Sequence, residues 1–509
     1  MRRHPALSGT PPKPTWLPIC LGSLLRLVQI WMPVLGVHSW RQADTAAMAR
    51  HFAEQGTPIW LPQIDWGGAS AGFVESEFPI YPFLVSRLYG LMGVQEWLGR
   101  GLSVFFSALT IWLVIRIGRR WFTPEAGWWA GMAFAIAPLG VYYGRSFQAE
   151  ALLVFCAAGA LEAHSIWVER RKAWALGLSW ICFTGAALIK VIPLLWLGLP
   201  LLLVQLTPSP RGRAESTQQI LQRLLRLLLH PWFWIYAATA VAVTSAWYVH
   251  AYQLGEASGL TFGFWGEDSD RSNIGLALTL SSWVNLAIRT GLRALVVVGV
   301  PFIMIGTIQS WRFGGGRVAL GGLIGMLICA VASMRSSTVH EYYQFPLLLF
   351  SSPLVGLGWQ TWQCKQRRWL IQTLLGITLI GSVSMLSIDY WAVELQQRSI
   401  WMPLAENIRR ELPSNARIVT VTDSDPTLLN LARRQGWTIS SRELTLEQLK
   451  KLKEDGASHL TGNLDWHNTY IPMQEAESKR IRQLIQENNT SFVDASMKTY
   501  LAPIKDLLP

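Results

Sequence analysis

"FPIYPFLVSRLYGLMGV", residues 78–94, is the segment on which the fold turns. It is apolar, yet it carries Pro79, Pro82 and Arg87 within a length marginal for crossing about 30 Å of hydrocarbon. If it crosses, every later loop changes side. Basic clusters decide the matter: Arg2/Arg3/Lys13, "RIGRRW" (116–121), "ERRKAW" (169–174), "RGRAESTQQILQRLLRLL" (211–228), "RFGGGR" (312–317) and "KQRR" (365–368). All six fall on one side only if 78–94 lies along the membrane, as positive-inside topology requires. The segment is therefore read as one of a pair of outer juxtamembrane helices that roof a cavity.

Working outward, eleven apolar stretches are long enough to span, near 17–36, 99–116, 126–143, 149–166, 173–189, 191–207, 232–250, 294–309, 319–334, 343–359 and 370–388. With 51% hydrophobic and 15% charged residues over 509 positions, the chain is expected to be a polytopic α-helical membrane protein of about 11 spans. Its net charge of +12 is dispersed in short loops, which records orientation and argues against a nucleic-acid surface. The basic start reads as the flank of a retained first span, without a small-x-small cleavage site. Five cysteines in or beside apolar runs form neither a disulfide framework nor a thiolate metal cluster.

Two domains are expected, a transmembrane part over 1–389 and a soluble α/β part over 390–509. The second begins with an amphipathic helix, a β-branched run, a turn and another helix, in "WMPLAENIRRELPSNARIVTVTDSDPTLLNLARRQG". Opposite the basic loops lie three larger pieces: 37–98, 251–293 with "FWGEDSDRSN", and the C-terminal part.

Titratable residues converge on that outer rim. Asp44, Glu75 and Glu77 share the first outer loop. "YYGRSFQAEALL" (142–153) brings Arg145 and Glu150, "GAALIKVIPLL" (185–195) brings Lys190, and "ASMRSSTVHEYYQFPLLLF" (332–350) brings His340, Tyr342 and Tyr343. A charge beside hydrocarbon needs a partner, water or a cavity. Asp44 is either a general base for an acceptor hydroxyl or amine, or a helix cap or buried ion pair. Arg41 either pairs with Asp44 or serves the site. Pro79 constrains the backbone beside Glu77 and could hold that carboxylate at fixed depth, while Glu150 also suits a helix N-terminus. Arg145 and Lys190 suit a phosphate, Arg by its planar fork and Lys as a point charge, and equally suit snorkelling. His340, Tyr342 and Tyr343 could contact a donor phosphate or stack on a sugar, or belong to an aromatic belt. "RFGGGR" lacks the lysine and hydroxyl of a nucleotide loop.

At these residues the sequence resembles the polyprenyl-phosphate-sugar-dependent glycosyltransferases of the C-type superfamily, including protein O-mannosyltransferases and the lipid A aminoarabinose transferase. "SWRQADTAAMARHFAEQG" (39–56) is similar to the segment in which an acid after the first span opens an outer helix. "ESEFPIYPFL" (75–84) resembles the Glu-Lys-Pro-Pro element, and "GRSFQAEALLVF" (144–155) the Arg followed by Asp or Glu at the fourth span. The resemblance runs through "HEYYQFP", and implies a lipid-linked sugar-phosphate donor, inversion at the anomeric carbon, and catalytic positions at Asp44, Glu77 and Glu150. Phe78 departs from the pattern, because the aminoarabinose branch carries a phosphate-contacting Lys there; phosphate contact then passes to Lys190, Arg145 or the "HEYY" segment. Glu75, Arg145, Lys190, His340, Tyr342 and Tyr343 are the expected substrate-binding set. No metal ligand is assigned, and the resemblance leaves a divalent cation open. The acceptor is a protein, a lipid or a glycan. A bacterial plasma (inner) membrane is expected, with site and C-terminal domain extracytoplasmic. The rival reading is a transporter or flippase, which calls for acids in mid-span and broken helices in related halves.

Overall fold

The computed structural model describes residues 13–207, 216–262, 274–486, 492–494, 496 and 498–508. Arg2, Arg3, Arg211, Arg213 and the "FWGEDSDRSN" stretch lie outside the described residues.

The chain opens with α1 (Trp16–Leu27) and then two helices outside the apolar bundle, α2 (Ser39–Gln55) and α3 (Ile80–Met92). The 13 residues of α3 reach only about 20 Å, short of a crossing. Its N-terminal end is tied to one end of the bundle. Phe78, just before it, donates its N–H to Leu188 O at 3.1 Å. The Tyr81 hydroxyl donates to Gly99 O at 2.8 Å, at the start of the next helix. Helix α3 is thus too short to span, as the surface-lying reading of 78–94 expects.

That next helix, α4 (Glu96–Trp121), leads into α5 (Pro124–Ile136), α6 (Pro138–Tyr143), α7 (Glu150–Arg170), α8 (Ala173–Ile189), α9 (Pro193–Trp196) and α10 (Gly198–Leu206). Prolines cut two of the expected spans. Pro138 starts α6 and leaves Ala137 extended, because the residue before proline is pushed out of the helical region. Pro138 also lacks the N–H that would bond Phe134 O. The fully buried Arg26 fills in, donating to Phe134 O at 3.4 Å, Ala135 O at 3.0 Å and Gly140 O at 2.9 Å. Pro193 likewise opens a new helix within 191–207.

Then follow α11 (Thr217–Leu228), α12 (Pro231–Ser258), α13 (Ile274–Ala277), α14 (Leu280–Arg289), α15 (Gly299–Ser310), α16 (Gly314–Ala332), α17 (Met334–Val339), α18 (Leu348–Gln363), α19 (Arg368–Leu386) and α20 (Ala392–Glu411). The eleven expected segments do not all become long straight helices. Among the described residues four helices are long and apolar enough to cross a membrane, or six if each of two bent pairs counts as one span. Helices α15 and α18 meet through glycine: a Cβ at Gly306 would strike the Leu354 carbonyl, and one at Gly358 the Phe302 carbonyl. Gly306→Ala is expected to cost about 1–3 kcal/mol by overpacking, read as a lowered Tm of the purified protein.

The basic clusters within the described residues gather at one end. Glu125, at the start of α5, accepts from Lys13 at 3.0 Å and from Gln363 at 2.5 Å. Arg120 near the end of α4 pairs with Glu162 on α7 at 2.8 Å, and Phe122 packs on Phe313 at 5.6 Å. The other end carries α2 and α3.

A π-helical turn, Ser387–Trp391, joins α19 to α20, so helical structure runs from Arg368 to Glu411 across residue 390, and the sheet begins only at Ile418. Strands β1 (Ile418–Val421), β2 (Gly436–Ile439), β3 (His459–Asn463) and β4 (Thr499–Pro503) stand in the order β2-β1-β3-β4. β1 is parallel to β2 (Ile418 opposite Gly436) and to β3 (Ile418 opposite His459), and β4 is antiparallel to β3. Helices α21 (Thr427–Ala432), α22 (Leu446–Glu454) and α23 (Glu475–Gln486) connect them. The open edge at β2 is covered by the first outer loop: Gly436 N–H donates to Asp65 O at 2.9 Å and Gly68 N–H to Gly436 O at 2.8 Å.

Candidate active site

Helix α2 is rich in alanine, and Ala43, Ala46, Ala47 and Ala49 are buried, so α2 packs closely against α3 and α21. His38 precedes it in a left-handed conformation (φ 56°) and offers no side-chain cap. The first N–H of such a helix needs a partner beyond the Gly36 O that Ser39 N–H meets at 3.1 Å. Tyr470, from the C-terminal sheet unit, supplies it: its hydroxyl accepts from Ser39 N–H and donates to Gly36 O. Thr427 Oγ1 donates to Ser39 Oγ at 3.0 Å, and Gln397 to Thr469 O at 2.9 Å. The sheet unit thus fixes where α2 begins.

Asp44 lies one turn further on, 3% exposed, and accepts a hydrogen bond from Trp66 Nε1 at 2.9 Å. Burial pushes its carboxyl up to about 8; Trp66 and Arg41 pull the other way, and the nearby Asp65 and Asp425 add to the rise. Arg41 stands three residues before Asp44, but its guanidinium forms an ion pair with Glu77 across the loop. Burial alone would raise Glu77; Arg41, and then Lys190, outweigh it and hold this carboxylate below its ordinary range. Arg41 is also in electrostatic contact with Tyr342 and Glu150.

A second pair faces this one. Lys190, where α8 ends, donates to Glu150 Oε1 at 2.7 Å, at the start of α7. Its ammonium lies 4.5 Å from the Tyr342 ring centre and 4.8 Å from that of Tyr343. His340 stacks on Tyr342 at 5.4 Å, with 9° between the planes, and meets His38 edge-on at 5.2 Å. Burial and the neighbouring Arg289 and Arg293 push His38 down to about 4, so it is neutral at pH 7. The segment carrying these rings, Glu341–Leu347, is held by Glu341. That carboxylate accepts from Tyr143 at 2.8 Å and Tyr390 at 2.9 Å and pairs with Arg293. Lys190, Tyr342 and Tyr343 then border a cavity of about 420 Å³ whose remaining walls are largely apolar, among them Leu153, Trp196 and Leu323.

Of the residues expected at the site, Asp44, Glu77, Glu150, Lys190, His340, Tyr342 and Tyr343 are brought into this constellation. Asp44 makes no hydrogen bond to Glu77 or Glu150; Arg41 stands between. Glu75 sits apart, its carboxylate receiving the Thr261 hydroxyl and its side chain lying against Gly255 of α12. Arg145 also sits apart. It is fully buried, bonded to Glu394 Oε2 at 2.6 Å, while Arg100 holds Oε1 at 3.3 Å. Its charge is matched inside the fold, the arrangement of a structural ion pair. Trp66, Asp65 and Asp425 are additions. Asp65 is held by Arg50 at 2.5 Å and His51 at 2.9 Å, and no periodicity in the loop announces it. Among the described residues no group of three or more His, Cys, Asp or Glu side chains is arranged to hold a metal ion.

Residues 76–250 match the family model described as dolichyl-phosphate-mannose-protein mannosyltransferase. The whole chain superposes on the crystal structure of ArnT from Cupriavidus metallidurans bound to undecaprenyl phosphate, with a TM-score of 0.67 and 13% identity over 97% of this chain and 98% of that one. The fold is that of the C-type glycosyltransferases. The same C-type fold is found in the Archaeoglobus fulgidus oligosaccharyltransferase AglB in complex with an inhibitory peptide and a dolichol-phosphate (TM-score 0.51, 12% identity, 89% of this chain and 69% of that one). It recurs in the mycobacterial arabinofuranosyltransferase AftD (TM-score 0.53, 15% identity, 89% of this chain and 35% of that one). A search of the curated proteins finds no sequence match. Phe78 packs its ring on Trp247 at 4.9 Å, while its N–H holds Leu188, two residues before Lys190.

Proposed function

We propose that this chain transfers a sugar from a polyprenyl-phosphate donor to an acceptor bound beside Asp44, inverting the anomeric carbon. One observation carries the reading: a largely apolar cavity of about 420 Å³ has Lys190, Tyr342 and Tyr343 at its polar side, and Lys190 is linked through Glu77 and Arg41 to Asp44. The apolar part suits a prenyl chain and the cation its phosphate. Undecaprenyl phosphate and dolichol-phosphate, held by two of the three compared proteins, are lipids of this chemistry.

In the reaction, an acceptor hydroxyl or amine attacks the anomeric carbon and its proton passes to Asp44. The bond from that carbon to the phosphate oxygen breaks, and the lipid phosphate leaves with the electron pair. Lys190 and Arg41 stabilise the charge growing on that phosphate. Glu150 and Glu77 hold these cations in place. Positive-inside topology sets the basic end in the cytoplasm, so the site and residues 390–509 face outward from a bacterial plasma membrane, toward a protein, lipid or glycan acceptor.

The test uses purified protein in lipid, radiolabelled polyprenyl-phosphate sugars and an extract of acceptors, comparing the unaltered chain with D44N and E77Q. Transfer undiminished in both variants, or no turnover of any donor across a broad panel, would sink the proposal. K190Q is expected to raise the donor KM about ten- to a hundredfold, the worth of one charge-assisted hydrogen bond to phosphate, and to leave the acceptor KM nearly unchanged.

A further inference from the structure

We infer that the opposite end of the bundle holds a second lipid site, for a phospholipid with an anionic phosphate headgroup. A cavity of about 510 Å³ opens there, bounded by α7, α8, α10, α11 and α12. It adjoins the last turns of α7 and the first turns of α12. Glu150, by contrast, begins α7, and the 21 residues of that helix put about 30 Å between that carboxylate and the basic rim at Arg171.

Three arginines, Arg171, Arg223 and Arg226, line the cavity together with His230, and among the described residues no acidic side chain is part of that lining; Arg223 also donates to Leu206 O at 3.5 Å. Trp167, Trp232 and Phe233 form aromatic walls near this basic rim, and Leu176, Leu201 and Val241 extend an apolar floor. The interior has its own polar line. His164 contacts Ser179 at 3.1 Å and Gln205 at 2.6 Å, and Ser179 contacts Tyr236 at 2.9 Å.

Helix α11 supplies the second observation. It starts with a capping box between Ser216 and Gln219 and meets α12 at 68°. Leu221, Leu225 and Leu228 are exposed along one face, at helical spacing, while Arg223 and Arg226 border the cavity. A short helix with an uncovered leucine face and a basic face, set across a long apolar helix, lies in the membrane interface. Its arginines then stand at headgroup depth. Free phosphate would match the charges and leave the apolar floor unused, and a zwitterionic lipid would bring its ammonium against the same arginines.

Native mass spectrometry of the full chain in detergent tests this with phosphatidylglycerol, phosphatidylcholine, polyprenyl phosphate and inorganic phosphate. Phosphatidylglycerol is expected to stay bound where phosphatidylcholine and inorganic phosphate do not. The variant R171Q/R223Q/R226Q is expected to hold it roughly a hundredfold more weakly, since each basic residue near an anionic headgroup contributes about a fivefold factor. In the unaltered protein, a photoactivatable phosphatidylglycerol is expected to label residues 223–241. Equal retention of the two phospholipids, labelling confined to other segments, or displacement of phosphatidylglycerol by an equal amount of polyprenyl phosphate would overturn the assignment.

Discussion

D44N is expected to lower sugar transfer by about 10²–10⁴-fold, the range over which a positioned general base contributes, while the protein keeps its fold and its donor affinity. Asparagine preserves the shape of the side chain and can still accept from Trp66 Nε1 through its carbonyl oxygen. It cannot take a proton from the acceptor. The loss should therefore fall on kcat and kcat/KM together, with donor KM little changed. E77Q acts differently, because it takes the charge from the partner of Arg41. It should perturb donor binding as well as rate.

The pH dependence follows from the same carboxyl. With Asp44 pushed up to about 8 by burial, most of it is protonated at neutral pH in the free protein. kcat/KM should rise about tenfold per pH unit below 8 and level off above it, and the D44N residue of activity should lack that limb. Stability runs the other way. In the unfolded chain Asp44 loses its proton near 3.8, whereas in the folded chain it keeps it to about 8. The folded state binds more protons between these values, so the contribution of Asp44 to stability is full below 3.8 and is lost as pH rises toward 8. Melting curves of the unaltered protein and D44N should diverge across that window, with D44N the less sensitive.

The acids of the site were legible in the sequence because charge beside hydrocarbon demands a reason. Glu150 and Lys190 stand at helix ends, Asp44 in the first turns of α2 and Glu77 just before α3, and the structure brings them into one neighbourhood. The pairing among them was not legible. Arg41 and Asp44 share helical spacing, yet tertiary contact sends Arg41 to Glu77, which is 36 residues distant. The pairing of Arg145 was hidden for a similar reason: "YYGRSF" reads as a short loop with a cation suited to a phosphate or to snorkelling, and its partner Glu394 lies 249 residues away, in a helix assigned to another domain. The broken spans were half legible. Hydropathy does not register that Pro138 and Pro193 restart a helix, although both prolines are visible in the runs. The surface-lying 78–94 was decided by charges in other loops, a constraint that acts on the whole topology at once.

E394A is expected to produce the largest stability loss in the chain, about 3–5 kcal/mol, because it leaves two buried guanidinium groups without a counter-charge. Arg100 and Arg145 are both fully buried, and Glu394 binds one with each carboxylate oxygen, at 3.3 and 2.6 Å. Backbone carbonyls hold the arginines too: Arg100 donates to Pro33 O at 3.0 Å, and Arg145 to Gln29 O at 3.4 Å. These accept hydrogen bonds but carry no charge. The Glu394 side chain also lies against Gly36, two residues before His38, so its loss loosens the entry to α2. The measurement is the Tm of purified protein together with the yield that survives detergent extraction. An all-apolar replacement, R100M/R145M/E394L, separates stability from chemistry, because exchanging a whole buried ionic group for packed apolar side chains is often neutral or stabilising. That variant should recover most of the Tm lost in E394A and retain sugar transfer. If its stability returns and transfer does not, the Arg100–Glu394–Arg145 group serves the chemistry as well as the fold.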